Sequence, residues 1–116
     1  MASSEIVEKL QKRIFHDFMD ILILAEMKKG SLSGYDVIGL FHNKFGILVS
    51  SGTVYSLLYS LERDGLIKGV WNNRKRVYEL SDRGEQNIEV ITKANDAVQN
   101  FLRNLSLLNA NSHAKQ

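Results

Sequence analysis

Hydroxyl groups crowd the segment from Ser50 to Ser60. Ser51, Thr53, Tyr55, Ser56 and Tyr59 fall there, with Gly52 among them. A second segment, Leu66 to Tyr78, holds four cations (Lys68, Arg74, Lys75 and Arg76) and no acid, and Asn72 and Asn73 precede the last three. Hydroxyls donate hydrogen bonds to phosphate oxygens or base edges, and small side chains let a backbone come close. Guanidinium and amide donors on a turn follow a phosphate backbone or reach into a minor groove. Each segment alone has a plain structural reading: a solvated basic loop, and a helix cap followed by two packed tyrosines. Their occurrence together, in the order of one fold, points to recognition of a polyanion.

Other chemistries find little support. The sequence has no cysteine, which removes disulfides, thiolate metal sites and cysteine nucleophiles and fits a reducing compartment. His16 and Asp20 stand one helical turn apart, with Asp17 beside them, but no third or fourth ligand follows at a metal-binding spacing. No metal and no cofactor are expected. No nucleophile elbow and no glycine-rich phosphate loop occurs, so no enzyme activity is expected either. The formal net charge of +2 is too small to name a partner; the information lies in where the cations sit. No run of ~18 apolar residues suggests a membrane span. The opening MASSEIVEKLQKR is too polar and acidic for a signal peptide, so a cytoplasmic location is expected.

The elements that must hold these groups follow from periodicity and caps. With 116 residues, 44% of them hydrophobic, there is room for one domain. Ser4, Glu5 and Glu8 read as a helix start. Apolar residues then step through Val7, Leu10, Ile14, Phe18, Ile21, Leu22 and Ala25 to Gly30, predicting one helix from Glu5 to Lys29. Ser33 and Asp36 form the ends of a capping box for a second helix, which stops at Gly46 and leaves His42 on its exposed edge. Ser50 caps a third, whose stripe of Val54, Leu57, Leu58 and Leu61 faces the core, up to Gly65.

The period then changes. Leu66–Trp71 and Arg76–Leu80 are rich in β-branched and aromatic residues around the polar turn Asn72-Asn73-Arg74-Lys75, which predicts a β-hairpin with a basic tip. Trp71 is expected to anchor that hairpin to the helices. Ser81 caps a long last helix with a seam of Ile91, Ala94, Val98, Phe101, Leu105 and Leu108 at alternating steps of three and four. The seam is short for a free coiled coil, so helix one, through Ile14 and Phe18, is expected to share a dimer interface with it. Phe15, Phe18 and Phe101 could line a cavity there, although aromatics at this spacing are usually core.

The expected fold is mainly α with a small β-hairpin: a winged helix-turn-helix plus a long C-terminal dimerisation helix. Residues 1–80 form the DNA-binding domain, 81–108 the dimerisation helix and 109–116 a flexible tail. In a helix-turn-helix the second helix of the pair enters the major groove.

The sequence resembles the PadR family of transcriptional regulators. The resemblance rests on Gly34-Tyr35-Asp36, Gly52-Thr53-Val54-Tyr55, Leu61-Glu62-Arg63-Asp64-Gly65-Leu66-Ile67 and Tyr78-Glu79-Leu80-Ser81, and covers about Met19 to Glu85. It implies a homodimer on a pseudo-palindromic DNA operator, usually as a repressor, with Tyr35, Ser51, Thr53, Tyr55 and the wing cations facing the DNA. Some members bind aromatic or drug-like effectors, so a small-molecule partner is possible in principle. Ser51 and Ser56 replace prolines common in the family, which loosens the start of the third helix and adds donors. The C-terminal part is short, a single helix rather than a larger helical domain. The alternative is a winged-helix docking module for proteins without direct DNA contact; it would have no need of Arg74, Lys75 and Arg76 beside a hydroxyl-rich helix.

Overall fold

The computed structural model describes residues 2–105. It has six helices and one hairpin among them: α1 (Ala2–Asp17), α2 (Met19–Met27), α3 (Gly34–Phe45), α4 (Ser51–Arg63), β1 (Ile67–Asn72), β2 (Lys75–Leu80), α5 (Asp82–Lys93) and α6 (Asn95–Asn104). The mainly helical winged helix-turn-helix expected from the sequence is present. Leu108 and the tail 109–116 lie outside the described residues.

The three serine caps are formed as their spacing predicts. Ser33 Oγ accepts the Asp36 N–H at 3.0 Å while Asp36 Oδ2 accepts the Ser33 N–H at 2.9 Å, a complete capping box. Ser50 Oγ accepts the Thr53 N–H, and Ser81 Oγ accepts the Gly84 N–H. Gly46 ends α3 at φ 68°, a conformation in which a side chain would be strained.

Two expected long helices are each broken by one residue. The helix expected from Glu5 to Lys29 divides at Phe18, which sits at φ −110°, ψ 10°. It also begins earlier, so Ser4 lies within α1 rather than capping it. Directly after the break the Asp20 carboxylate accepts the Ile21 N–H at 2.8 Å, a local bond of the kind that competes with helix continuation. The last helix divides at Ala94, at φ −88°, ψ 12°. There Thr92 Oγ1 donates to the Ile88 carbonyl at 2.7 Å, back-bonding that bends helices. Apolar spacing runs through both breaks unchanged, so periodicity does not register them.

The core lies between α2, α3, α4 and the inner face of the hairpin. Ile23, Val37, Phe41, Val54, Leu58 and Tyr78 are all but sealed from solvent. Phe15 reaches in from α1 and meets Phe41 edge-on at 4.9 Å between ring centroids. The α4 stripe is as expected, with Val54, Leu58 and Leu61 buried and Leu57 packed partly against them. Leu32 makes a single-residue bridge to the outer edge of β2, exchanging backbone hydrogen bonds with Tyr78 at 2.8 and 2.9 Å.

The described residues extend 60 × 34 × 21 Å, with a radius of gyration of 16.9 Å. A compact chain of this length would have about 13 Å. The excess is in the outer helices: α6 buries no residue at all.

Candidate nucleic-acid interface

α4 presents a graded surface. At 100° per residue the side opposite the Val54–Leu58–Leu61 stripe carries Gly52, Ser56, Tyr59 and Arg63. All four are exposed, as are Ser51, Thr53 and Tyr55. Arg63 was not among the expected site residues, although its spacing from Gly52, Ser56 and Tyr59 is the signal that places it. Thr53 and Ser56 border a groove against α1 and α2, lined also by His16, Asp17 and Asp20. The two acids there set that flank apart from the opposite one, where Tyr55 lies tilted against Tyr59 at 6.2 Å between ring centroids.

Tyr55 is seated on α3. Its ring covers Gly34 so closely that a methyl group at Gly34 would overlap it. The next residue, Tyr35, stands free at 78% exposure. The same first turn meets the hairpin, where Lys75 Nζ lies 3.9 Å from Asp36 Oδ2. The Ser33 backbone N–H, helped by the Ser33 hydroxyl and by Lys75, holds the Asp36 carboxyl below its ordinary pKa. The exposed side of α4, the start of α3 and the tip of the wing therefore meet in one surface.

The wing is a six-pair antiparallel ladder from Ile67–Leu80 to Asn72–Lys75. Its two turn residues, Asn73 and Arg74, both have positive φ, 52° and 68°, as the tight hairpin turn matching strand twist requires. The basic tip is where it was expected, but its cations are not equivalent. Glu62 of α4 holds Arg76 through both carboxylate oxygens, at 2.9 and 3.2 Å, and also accepts the Gly69 N–H at 3.0 Å. Arg76 passes over Gly69, where a methyl group would push its guanidinium aside, and lies 5.5 Å from the centre of the Tyr78 ring. Glu62 raises the pKa of Arg76 still further, while burial raises that of the Tyr78 phenol. Lys68 pairs with Glu79 and Lys75 with Asp36. Among the described residues Arg74 alone of the four has no acidic partner.

One expectation is overturned here. Trp71 does not anchor the hairpin; it is 71% exposed. The anchors are Ile67, Val77 and Tyr78, and a tryptophan one pair from the turn lies beyond the helices they touch.

The seam residues divide. Ile14, Phe18, Val98, Phe101 and Leu105 are exposed. Ala94 is half-buried, and Ile91 packs partly against the chain's own core. Leu108 is outside the described residues. Ile14 and Phe18, with Phe15, Ile21, Leu22 and Phe45, line an apolar hollow of about 310 Å³. Among the described residues no cluster of potential metal ligands occurs, and no helix is long and apolar enough to cross a membrane.

The hairpin, the helix-turn-helix and their shared surface define a winged helix-turn-helix protein. Residues 23–90 match the transcriptional regulator PadR-like family, and the chain belongs to that family. It is a PadR-like transcriptional regulator. Its fold is similar to that of a PadR-like transcriptional regulator from Bacillus cereus, at 20% identity and TM-score 0.71, covering 80% of this chain and 95% of that one. It is similar to Bacillus subtilis PadR in complex with operator DNA, at 27% identity and TM-score 0.55, over 64% of this chain and 46% of that one. The same Bacillus subtilis protein in complex with p-coumaric acid matches at 30% identity and TM-score 0.52, over 61% of this chain and 41% of that one. Among curated proteins there is no match.

Proposed function

We propose that two copies of this chain bind one pseudo-palindromic operator and repress transcription by occupying a promoter, in the cytoplasm. Residues 1–80 read the DNA and residues 81–108 pair the chains. The α4 helices enter successive major grooves about one DNA turn, ~34 Å, apart. Tyr35, Tyr55 and the wing residues Asn72, Asn73, Arg74 and Lys75 contact phosphates and fix the register, while Ser51, Gly52, Thr53, Ser56 and Tyr59 approach base edges. Arg76 takes part through the wing it holds in place.

The observation that carries this reading is the surface formed by the exposed hydroxyls of α4, Tyr35 at the start of α3 and the wing tip, which Lys75 joins to α3 and which carries Arg74 without an acidic partner among the described residues. Similarity to Bacillus subtilis PadR, whose structure contains operator DNA, supports the same partner here. The pairing of chains is supported by the apolar stripe of Val98, Phe101 and Leu102 on α6 and Leu105 at its end, which the described residues leave exposed.

The test is a binding titration of a fluorescein-labelled duplex at several salt concentrations, for the parent protein and for Arg74→Ala. Affinity should fall steeply with salt, and the variant should flatten the log–log slope by ~1 per lost phosphate contact, or about two in a dimer. An equal slope in both proteins removes Arg74 from the contact, and salt-insensitive binding or none removes the DNA-binding reading.

A further inference from the structure

We infer that Trp71 is a DNA contact of the wing, its indole lying against the sugar-phosphate backbone; the inference rests on the operator-binding reading above. The hairpin register fixes which way the side chain looks. Ile67–Leu80, Gly69–Tyr78 and Trp71–Arg76 are directly paired, so these residues share one face of the ladder. Ile67 and Tyr78 bury that face in the core, and Glu62 reaches Gly69 and Arg76 on it from α4. Trp71 therefore stands on the face that looks toward α4, two residues nearer the tip than Gly69.

Its natural cover has been drawn away. Arg76, directly across the ladder, could lie over the indole as a cation–π partner. It turns back instead across Gly69 to Glu62 and lies against Tyr78. Among the described residues no ring or cation stacks on Trp71, and the side chain is left 71% exposed. It is nevertheless held on a regular ladder one pair from a two-residue turn, so ordering it in a complex costs little.

The neighbourhood selects the occupant. The carboxylate on Trp71's face, Glu62, is taken up by Arg76 and Gly69; Asn72 and Lys75 project from the other face, and the ladder end and turn beside the indole carry Arg76, Asn73 and Arg74. A ligand that meets them and the indole together must be anionic and apolar in alternation. Deoxyribose gives the indole an apolar surface, and a phosphate oxygen can accept its Nε1–H.

Trp71 is the sole tryptophan, so it reports on itself. The experiment titrates the full chain with a 30-base-pair duplex, about three helical turns, following DNA anisotropy with labelled duplex and tryptophan emission with unlabelled duplex. Emission should change in parallel with anisotropy. Trp71→Ala should weaken binding ~10-fold, the loss of one hydrogen bond to a charged acceptor, with an unaltered salt slope, because the indole is neutral; Trp71→Phe should recover part of the loss. An exposed residue predicts the same melting curve for both variants as for the parent. Emission that stays constant while anisotropy saturates, or a Trp71→Ala variant that binds like the parent, overturns the inference and leaves the operator-binding reading standing. Emission that changes with protein concentration alone, and no further with DNA, assigns Trp71 to a protein contact and overturns it equally. If labelled duplex shows no binding even at low salt, the underlying reading fails and this one with it.

Discussion

Arg74 and Arg76 are two positions apart and chemically identical, yet their surroundings give them different roles. Arg74 occupies a positive-φ turn position with no acid beside it among the described residues, whereas Arg76 is gripped by both oxygens of Glu62. The Glu62–Arg76 pair is partly exposed, at 31% and 41% for the two side chains, so its direct worth in stability is small. Its consequence is geometric, since the same carboxylate fixes the Gly69 backbone and so the angle of the wing to α4. Glu62→Gln should leave the melting temperature nearly unchanged but lower DNA affinity by roughly fivefold, the loss of about 1 kcal/mol of preorganisation. Paired thermal melts and anisotropy titrations check this, and a variant with unaltered affinity would show that the wing holds its angle without Glu62. Asp36 has a different signature. Its pKa is lowered in the folded chain, first by the Ser33 N–H, so the stability it contributes is complete above the unfolded value of about 3.9 and disappears as pH falls through the lower folded value. Asp36→Ala should cost about 1 kcal/mol near pH 7, and the gap between parent and variant in denaturant melts should narrow as the pH is taken below about 4.

At the level of elements, what the sequence reveals depends on whether the signal is local. Ser33, Ser50 and Ser81 cap their helices by bonds to residues three positions ahead, and such caps are readable from a single stretch of chain. The hairpin is readable for the same reason, because its turn residues and alternating strands are contiguous. The breaks at Phe18 and Ala94 are not, since each is one residue's change of dihedral angle inside an unbroken apolar spacing. Tertiary partners are hidden as well. Nothing in Trp71 alone tells that Tyr78 and Ile67 take the anchoring place, or that Glu62 takes Arg76 out of the free cations. The hydroxyl-rich side of α4 was legible because it is the complement of a clean core stripe; Arg63 belongs to it by the same geometry. Gly84 is another long-range case. It lies in the first turn of α5, where a methyl group would strike the Leu66 carbonyl oxygen, a backbone atom that cannot swing aside. Gly84→Ala should therefore destabilise the chain by about 2 kcal/mol, lowering the melting temperature by roughly 10 °C. Calorimetry reads this directly, and a melt like the parent's would mean that α5 shifts freely on the hairpin.

For the whole molecule, the decisive feature is a fold that does not close on itself. The chain is elongated, α6 buries nothing, and α1 leaves Ile6, Val7, Ile14 and Phe18 in solvent. Apolar surface of this kind is worth about 25 cal/mol per Å² when covered, and the second copy proposed above would cover it on both chains at once under two-fold symmetry. Phe101, at 66% exposure the barest of the large hydrophobic residues of α6, is the sharpest probe. Phe101→Asp should shift sedimentation from dimer to monomer and weaken operator binding, while leaving the fold of the DNA-reading part intact by circular dichroism; a dimer that persists would move the interface elsewhere. The central claim joins that pairing to DNA, and mass measured on the complex tests it most directly. Sedimentation of the chain with a 30-base-pair duplex should give a complex of two chains per duplex that dissociates as salt is raised. A single chain on each duplex, or a free monomer that leaves the duplex unbound at low salt, would contradict it.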